Sequence, residues 1–136
     1  MLSDVIVKRL SFGILTFAGI ILVAYITLQA FTGAPVITVT NNASSAVSNV
    51  VLSGSGYRTV ISKIEPGETV TVVVHPRGES DIRIEYLSPA GQRSRDDLGY
   101  IEPTGGYCYD FAILSNYEVK TLRSDIGCFS WKRIIP

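Results

Sequence analysis

The sequence predicts an all-β protein in which one N-terminal transmembrane helix precedes a seven- to eight-stranded antiparallel β-sandwich of immunoglobulin-like architecture. Three observations predict this fold. Leu10–Phe31 contains no Asp, Glu, Lys or Arg. From Val36 onward apolar and polar residues alternate, which is the period of a half-buried strand. Turn signals built on Pro and Gly recur along the same region, as in antiparallel sandwiches.

The apolar segment Leu10–Phe31 is long enough to cross a bilayer, because a helix of this length spans about 33 Å. Lys8 and Arg9 stand directly before it, and the next basic residue is Arg58. The positive-inside rule therefore predicts a cytoplasmic N-terminus and an exported periplasmic or extracellular C-terminal domain, attached to the inner (cell) membrane. Two alternatives are a signal peptide cleaved after Ala30 and a buried core helix.

The predicted organisation has five parts. Alternation and turn residues such as Pro66-Gly67 and Ser88-Pro89-Ala90-Gly91 delimit the strands. The predicted strands cover residues 36–40, 47–53, 57–64, 68–75, 81–87, 93–100, 107–114 and 118–123. The parts are a cytoplasmic tail (1–9), the anchor (10–31), a linker (32–35), the exported sandwich (36–125) and a C-terminal tail (126–136).

The stretch 37–114 carries five short motifs: Val-Thr-Asn-Asn (39–42), Ser-Asn-Val-Val-Leu-Ser-Gly (48–54), Ile-Glu-Pro-Gly-Glu (64–68), Pro-Arg-Gly-Glu-Ser (76–80) and Gly-Tyr (99–100). In these motifs the stretch loosely resembles bacterial single-pass envelope proteins with an exported β-sandwich domain and no known function. The resemblance implies a bacterial source and an exported β-domain, and it brings no activity or site residue.

Cys108 and Cys128 are the two cysteines of the chain. An even count in an exported domain favours one disulfide, with two free buried thiols as the alternative. Alternation in 107–114 places Tyr107 and Phe111 on the core face, so Cys108 faces outward and the C-terminal tail can reach it. Two cysteines alone cannot form a structural zinc site.

No catalytic, cofactor or metal residue is predicted, and an enzyme is not expected. His75 is the single histidine and precedes a turn proline, where an exposed strand end is the simpler interpretation. The acids of the 79–110 region, such as Asp96 and Asp97, could bind Ca²⁺, but their spacing matches no defined calcium loop. Equal numbers of acidic and basic residues, 12 each, give no global attraction for nucleic acid.

The predicted interaction residues are Tyr100 and Tyr117, in or near turns, and Trp131, Lys132 and Arg133 in the C-terminal tail. Trp, Lys and Arg suit a membrane–water interface. For the tail, the favoured interpretation is instead a final edge strand that packs Phe129, Trp131 and Ile134 onto the sandwich. The predicted function is a non-catalytic accessory or interaction module with two partners, the bilayer (through Leu10–Phe31) and a membrane or envelope protein. The alternative is a module that binds a glycan or Ca²⁺ through the 93–106 loop region.

Overall fold

The computed structural model describes residues 2–134, with side chains from Gly13 onward. It begins with helix α1, Leu2–Thr32. Within α1, Gly13–Thr32 has a mean hydropathy of 2.1, and 6% of this stretch is buried. It is the one helix among the described residues that is long and apolar enough to cross a membrane, a test that a signal sequence also passes. The helix takes in most of the segment that was predicted as the cytoplasmic tail.

Within residues 2–134 ten strands follow the helix, and β1, β2 and β3 match the predicted strands to within one residue at each end. The strands are β1 Val36–Asn41, β2 Val47–Gly54, β3 Tyr57–Ile64, β4 Thr69–Val73, β5 Ser80–Asp81, β6 Arg83–Ser88, β7 Gly91–Arg95, β8 Tyr100–Ile101, β9 Cys108–Ile113 and β10 Val119–Asp125. They form two four-stranded sheets, β10-β9-β1-β4 and β3-β2-β6-β7, and a small sheet β5-β8.

One strand pair departs from the predicted antiparallel arrangement. β1 is antiparallel to β4 but parallel to β9, with Val36 opposite Cys108 and Asn41 opposite Ile113. The reason lies at the start of both strands. The chain enters β9 at the same end of the domain where β1 leaves the helix, so the two strands run in the same direction.

The two four-stranded sheets contribute to one buried apolar cluster. The inward positions alternate along the strands as predicted, and Val74, Ile82, Ile84, Tyr86, Tyr107, Tyr109 and Phe111 are all buried in it. Val70 and Val72 pack against the same cluster. The hydroxyls on the opposite face of β4 meet those of β1, Thr38 with Thr71 at 3.2 Å and Thr40 with Thr69 at 2.9 Å. Alternation therefore predicted which face of β4 is buried.

Two of the predicted strands are each divided in the structure. Strand 81–87 breaks at Ile82, whose amide bonds to the Gly99 carbonyl while its own carbonyl accepts from the Leu98 amide. Strand 93–100 breaks because Asp97 adopts a left-handed conformation, with φ of 56°. Asp tolerates this conformation better than most residues. The breaks let β5 and β8 pair with each other, which the alternation pattern did not reveal.

A buried asparagine holds the loops at the end of the sandwich farthest from α1. Asn41 is fully buried, and its amide nitrogen donates to the Ser45 and Ile64 carbonyls at 2.9 and 3.0 Å. Its side-chain oxygen accepts from the Ala43 amide. All polar atoms of the side chain are thus paired, as burial demands.

Candidate functional site at the helix–domain junction

The C-terminal tail folds back against the end of α1. After β10 ends at Asp125 the chain forms no further strand within the described residues, and Trp131–Arg133 is a short 3₁₀ helix. The Phe129 ring lies 5.3 Å from that of Phe31 and 4.8 Å from that of Trp131. The expectation of a final edge strand is therefore wrong for residues 126–134, because the tail pairs with the helix end rather than with a sheet. Ile135 and Pro136 of the predicted tail, like Met1, lie outside the described residues.

The Arg133 guanidinium links the tail, the helix and the sandwich. It donates to the Ala30 carbonyl at 2.6 Å, the Ala34 carbonyl at 2.7 Å and the Tyr107 carbonyl at 2.9 Å, and also to the Cys128 carbonyl. The last carbonyls of a helix have no partner within it, and a nearby cation is favourable at this negative end of the helix dipole. Burial lowers the pKa of the Arg133 guanidinium from its ordinary value because the charged form loses solvation.

A disulfide places the tail beside this arginine. Cys108 and Cys128 are bonded, with Cα atoms 6.0 Å apart, and both are buried with Val36. The Arg133 Nη2 atom lies 3.6 Å from the Cys108 sulfur and 3.4 Å from the Cys128 sulfur. As predicted, Cys108 lies on the face of β9 opposite the main core, where the tail can reach it. The disulfide thus joins the start of β9 to the tail.

The segment between α1 and β1 is held by hydrogen bonds to two neighbouring loops. The Gly105 amide donates to the Thr32 carbonyl and the Gly106 amide to the Gly33 carbonyl, both at 3.2 Å. The Val74 amide donates to the Pro35 carbonyl at 3.0 Å. A Cβ added to Gly106 would lie 1.6 Å from the Phe31 carbonyl oxygen, so the loop approaches the helix end as closely as only glycine allows. The predicted linker 32–35 is therefore held in place by hydrogen bonds to its backbone carbonyls.

The predicted surface tyrosines lie at opposite ends of the sandwich. Tyr100 is 40% exposed on β8, and its hydroxyl donates to Glu102 at 2.8 Å. Its pKa is raised by desolvation, and further by hydrogen bonding to Glu102 and Glu79. Tyr117 lies in the β9–β10 turn with φ of 58° and packs partly against the core. Since β9 leads away from the helix, roughly 20 Å separate this turn from the junction, and the structure does not bring Tyr117 into one site with the others.

A polar cavity of about 460 Å³ opens at the end of the sandwich near α1. Its walls include Asp96 and Asp97 of the predicted 93–106 loop region, and Arg83 pairs with Asp96 at 2.5 Å. Glu79 and Asp81, which also belong to the candidate acids of the 79–110 region, lie in the same walls. Sequence reasoning missed the remaining wall residues, because pairings between distant strands, such as Ser53 with Arg83, bring them together: Ser53, Gly54, Ser55, Ser80, Ile82 and Arg83. No group of three or more His, Cys, Asp or Glu side chains that could hold a metal ion occurs in the described part of the chain.

Comparison with known proteins places the chain in no family. No protein-family model matches the sequence, and no curated protein matches it. A solved structure described as the NMR structure of a protein from Eubacterium rectale is similar to it at a TM-score of 0.48 and 12% identity. The similarity covers 68% of this chain and 87% of that one. A likeness at this level supports no conclusion about function.

Proposed function

We propose that this protein is a membrane-anchored, non-catalytic accessory or interaction module of the bacterial cell envelope. In this proposal α1 spans the inner membrane with its N-terminus in the cytoplasm, and the immunoglobulin-like sandwich is exported. The observation that carries the proposal is the junction between α1 and the β-domain, which is held by hydrogen bonds. An apolar helix passes into the β-domain through a segment whose carbonyls are bonded to Gly105, Gly106 and Arg133.

A junction of this kind suits a domain that is held in one position, rather than one that reaches partners over a distance. A flexible linker would let the domain search a large volume, as Gly- and Ser-rich linkers do. Here the bonds at Thr32, Gly33, Ala34 and Pro35 hold the sandwich close to the helix end at a set angle. Such a domain presents the same surface to its surroundings at a constant height above the bilayer. The buried disulfide is consistent with an oxidising compartment outside the cytoplasm.

The membrane part of the proposal is tested by fractionation and topology mapping of the full-length protein in bacterial cells. We expect the chain to resist alkaline extraction and the sandwich to be digested by protease added to spheroplasts. A matched variant, Lys8→Glu with Arg9→Glu, removes the positive charge before the apolar segment and should lower the fraction with an exported domain. Release of the intact wild-type chain by alkaline buffer would contradict the membrane anchor, and a shorter chain would indicate a cleaved signal peptide.

The interaction part is tested by crosslinking in cells, solubilisation in mild detergent and mass spectrometry. We expect a stoichiometric membrane or envelope protein to copurify with the full-length chain. As a control, Leu10–Phe31 is replaced by a cleavable signal peptide, which exports the same sandwich without the anchor and should lose the partner. Recovery of a well-solubilised protein alone would argue against the interaction function.

The polar cavity favours a second candidate function, binding of a soluble glycan. Its volume lies within the range of small-molecule sites, and charged and hydroxyl side chains from several loops converge on it. A glycan that binds there should raise the melting temperature of the full-length protein in detergent. The rise should disappear in Asp97→Ala and persist in Glu118→Ala, which alters an exposed acid outside this cavity. No rise across a broad oligosaccharide panel would remove this candidate.

A further inference from the structure

We propose that the C-terminal tail is a second membrane contact, which inserts its aromatic side chains into the exported-side boundary of the bilayer. The contact is made by the aromatic collar, defined as Phe31, Phe129 and Trp131, with Lys132 beside it. The inference rests on the proposed function in one respect, namely that α1 spans the membrane. It adds that the occupant of this surface is lipid, and that the domain therefore has a defined orientation on the bilayer.

The depth of the collar follows from the length of α1. The apolar segment starts at Leu10, immediately after Arg9, and about 20 helical residues cross a hydrocarbon core of roughly 30 Å. The far boundary of the core then falls at about Gln29. The tail touches the helix at that level, because the Ser130 amide and the Arg133 guanidinium both bond to the Ala30 carbonyl.

The exposure of the collar fits an interface between lipid and water. Trp131 is 60% exposed, Phe129 44% and Phe31 40%, although their rings lie in contact with one another. Trp is enriched where a membrane meets water, because its ring is apolar while its N–H can still find a partner. The exposed Lys132 next to these rings can reach lipid phosphates. The same surface combines an apolar ring cluster with a cation, as a lipid boundary requires.

A groove between α1 and the tail continues this surface along the helix. It encloses about 200 Å³ and is lined by Tyr25, Ile26, Gln29, Arg133 and Ile134. All three helix residues belong to the stretch that would lie in or at the edge of the hydrocarbon core. Lipid is therefore the material that meets the groove when α1 spans a bilayer. The disulfide and the Arg133 bonds keep the tail in this position instead of letting it extend into water.

Trp131 is the only tryptophan of the chain, so its fluorescence reports on the collar directly. The full-length protein is reconstituted into vesicles of phosphatidylcholine and phosphatidylglycerol, with a fraction of the lipids brominated either near the headgroup or near the chain end. We expect blue-shifted emission and about twofold or greater quenching by the headgroup-proximal bromines. We also expect weaker quenching by the chain-end bromines and little quenching by aqueous iodide. Emission typical of water, with strong quenching by iodide and none by brominated lipid, would overturn the proposal.

A control moves the single tryptophan to the other end of the domain. The double variant Trp131→Phe with Leu87→Trp places an indole at a position that is 46% exposed in the wild type, near the end of β6 that points away from α1. We expect this indole to be quenched by iodide and not by brominated lipid. Lipid quenching at both positions would reject the collar as a specific contact.

Alkaline extraction of the same vesicles tests the membrane anchor separately from the tail contact. If the protein stays in the membrane while Trp131 is quenched only from water, the tail contact is wrong and the anchor stands. If alkaline buffer removes the protein from the vesicles, the anchor and the tail contact both fail.

Discussion

Replacement of Gly106 by alanine should loosen the attachment of the sandwich to the helix. Gly106 has φ of 65°, and an added Cβ would lie 1.6 Å from the Phe31 carbonyl oxygen. The backbone has to move by more than 1 Å before this contact reaches 3.0 Å, the lower limit of real Cβ contacts. Such a movement breaks the bonds from Gly105 to Thr32 and from Gly106 to Gly33.

The magnitude follows from two contributions. An alanine in the left-handed conformation costs about 1–2 kcal/mol. The two broken backbone hydrogen bonds add about 1 kcal/mol each. Gly106→Ala should therefore lower the free energy of unfolding by about 3–4 kcal/mol. The assay is urea unfolding of the full-length protein in detergent micelles, followed by Trp131 fluorescence and by circular dichroism of the β-domain.

Gly67→Ala is the matched control. Gly67 has φ of 76°, yet an added Cβ meets no heavy atom within 4 Å. It should therefore carry only the conformational cost of about 1–2 kcal/mol. The difference between the two variants isolates the contact with the helix end. Equal unfolding midpoints for Gly106→Ala and Gly67→Ala would refute the reasoning that this loop holds α1.

Three further predictions concern single side chains and use the same unfolding assay. Arg133→Lys should lower the free energy of unfolding by about 1–2 kcal/mol, because one ammonium group cannot replace the several N–H donors of the guanidinium. The control Lys132→Ala should change it by no more than about 0.5 kcal/mol. Equal effects of the two variants would contradict the role of the Arg133 guanidinium. Asn41→Leu should cost about 2–4 kcal/mol by leaving buried backbone groups unpaired, and a cost below about 1 kcal/mol would count against that pairing. The buried Tyr57 hydroxyl has no hydrogen-bond partner among the described residues, and burial raises its pKa to about 12 from the ordinary 10. Because the Tyr57 pKa is higher in the folded state than in the unfolded state, the fold keeps its full stability below pH 10 and loses part of it as the pH rises from 10 to 12. Tyr57→Phe should therefore remove a loss of unfolding free energy at high pH of about 1 kcal/mol, a value already reduced for solvent screening, and should be neutral or stabilising at pH 7. The control Tyr86→Phe should cost about 1 kcal/mol at pH 7, because it loses a hydrogen bond to the Tyr117 carbonyl. A cost at pH 7 for both variants would refute the assignment of the Tyr57 hydroxyl as unpaired.

Local chemistry explains which parts of the fold were predictable from sequence. In β4, Val70 and Val72 alternate with Thr69 and Thr71. A strand can bury the valines of such a pattern on one face only, so the core face of β4 followed from the pattern. The hairpin turn at Ser88–Gly91 followed from proline and glycine, and its Ser88 hydroxyl bonds across it as expected for such turns. These features depend on residues adjacent in the chain.

The junction could not be predicted in the same way. Arg133 donates hydrogen bonds to the Ala30 and Tyr107 carbonyls, and Gly106 matters because its backbone lies close to the Phe31 carbonyl. Nothing in the residues around Arg133 distinguishes a solvated arginine from one that binds a helix end. The one available signal was the cysteine pair, since a bond between Cys108 and Cys128 brings residues 126–134 to the start of β9, where the helix ends.

Sequence alone was enough to predict an apolar helix, a β-rich domain with the core face of three strands, and a favoured cysteine pairing, because hydrophobic periodicity and turn chemistry act over a few residues. Three other features depend on long-range contacts: β1 runs parallel to β9, two predicted strands break to build the β5–β8 sheet, and the tail caps the helix. These contacts join residues tens of positions apart. The strand choices draw on backbone groups that every residue carries, and the helix cap depends on where the Arg133 side chain meets the Ala30 carbonyl, so neither follows from the local side-chain pattern.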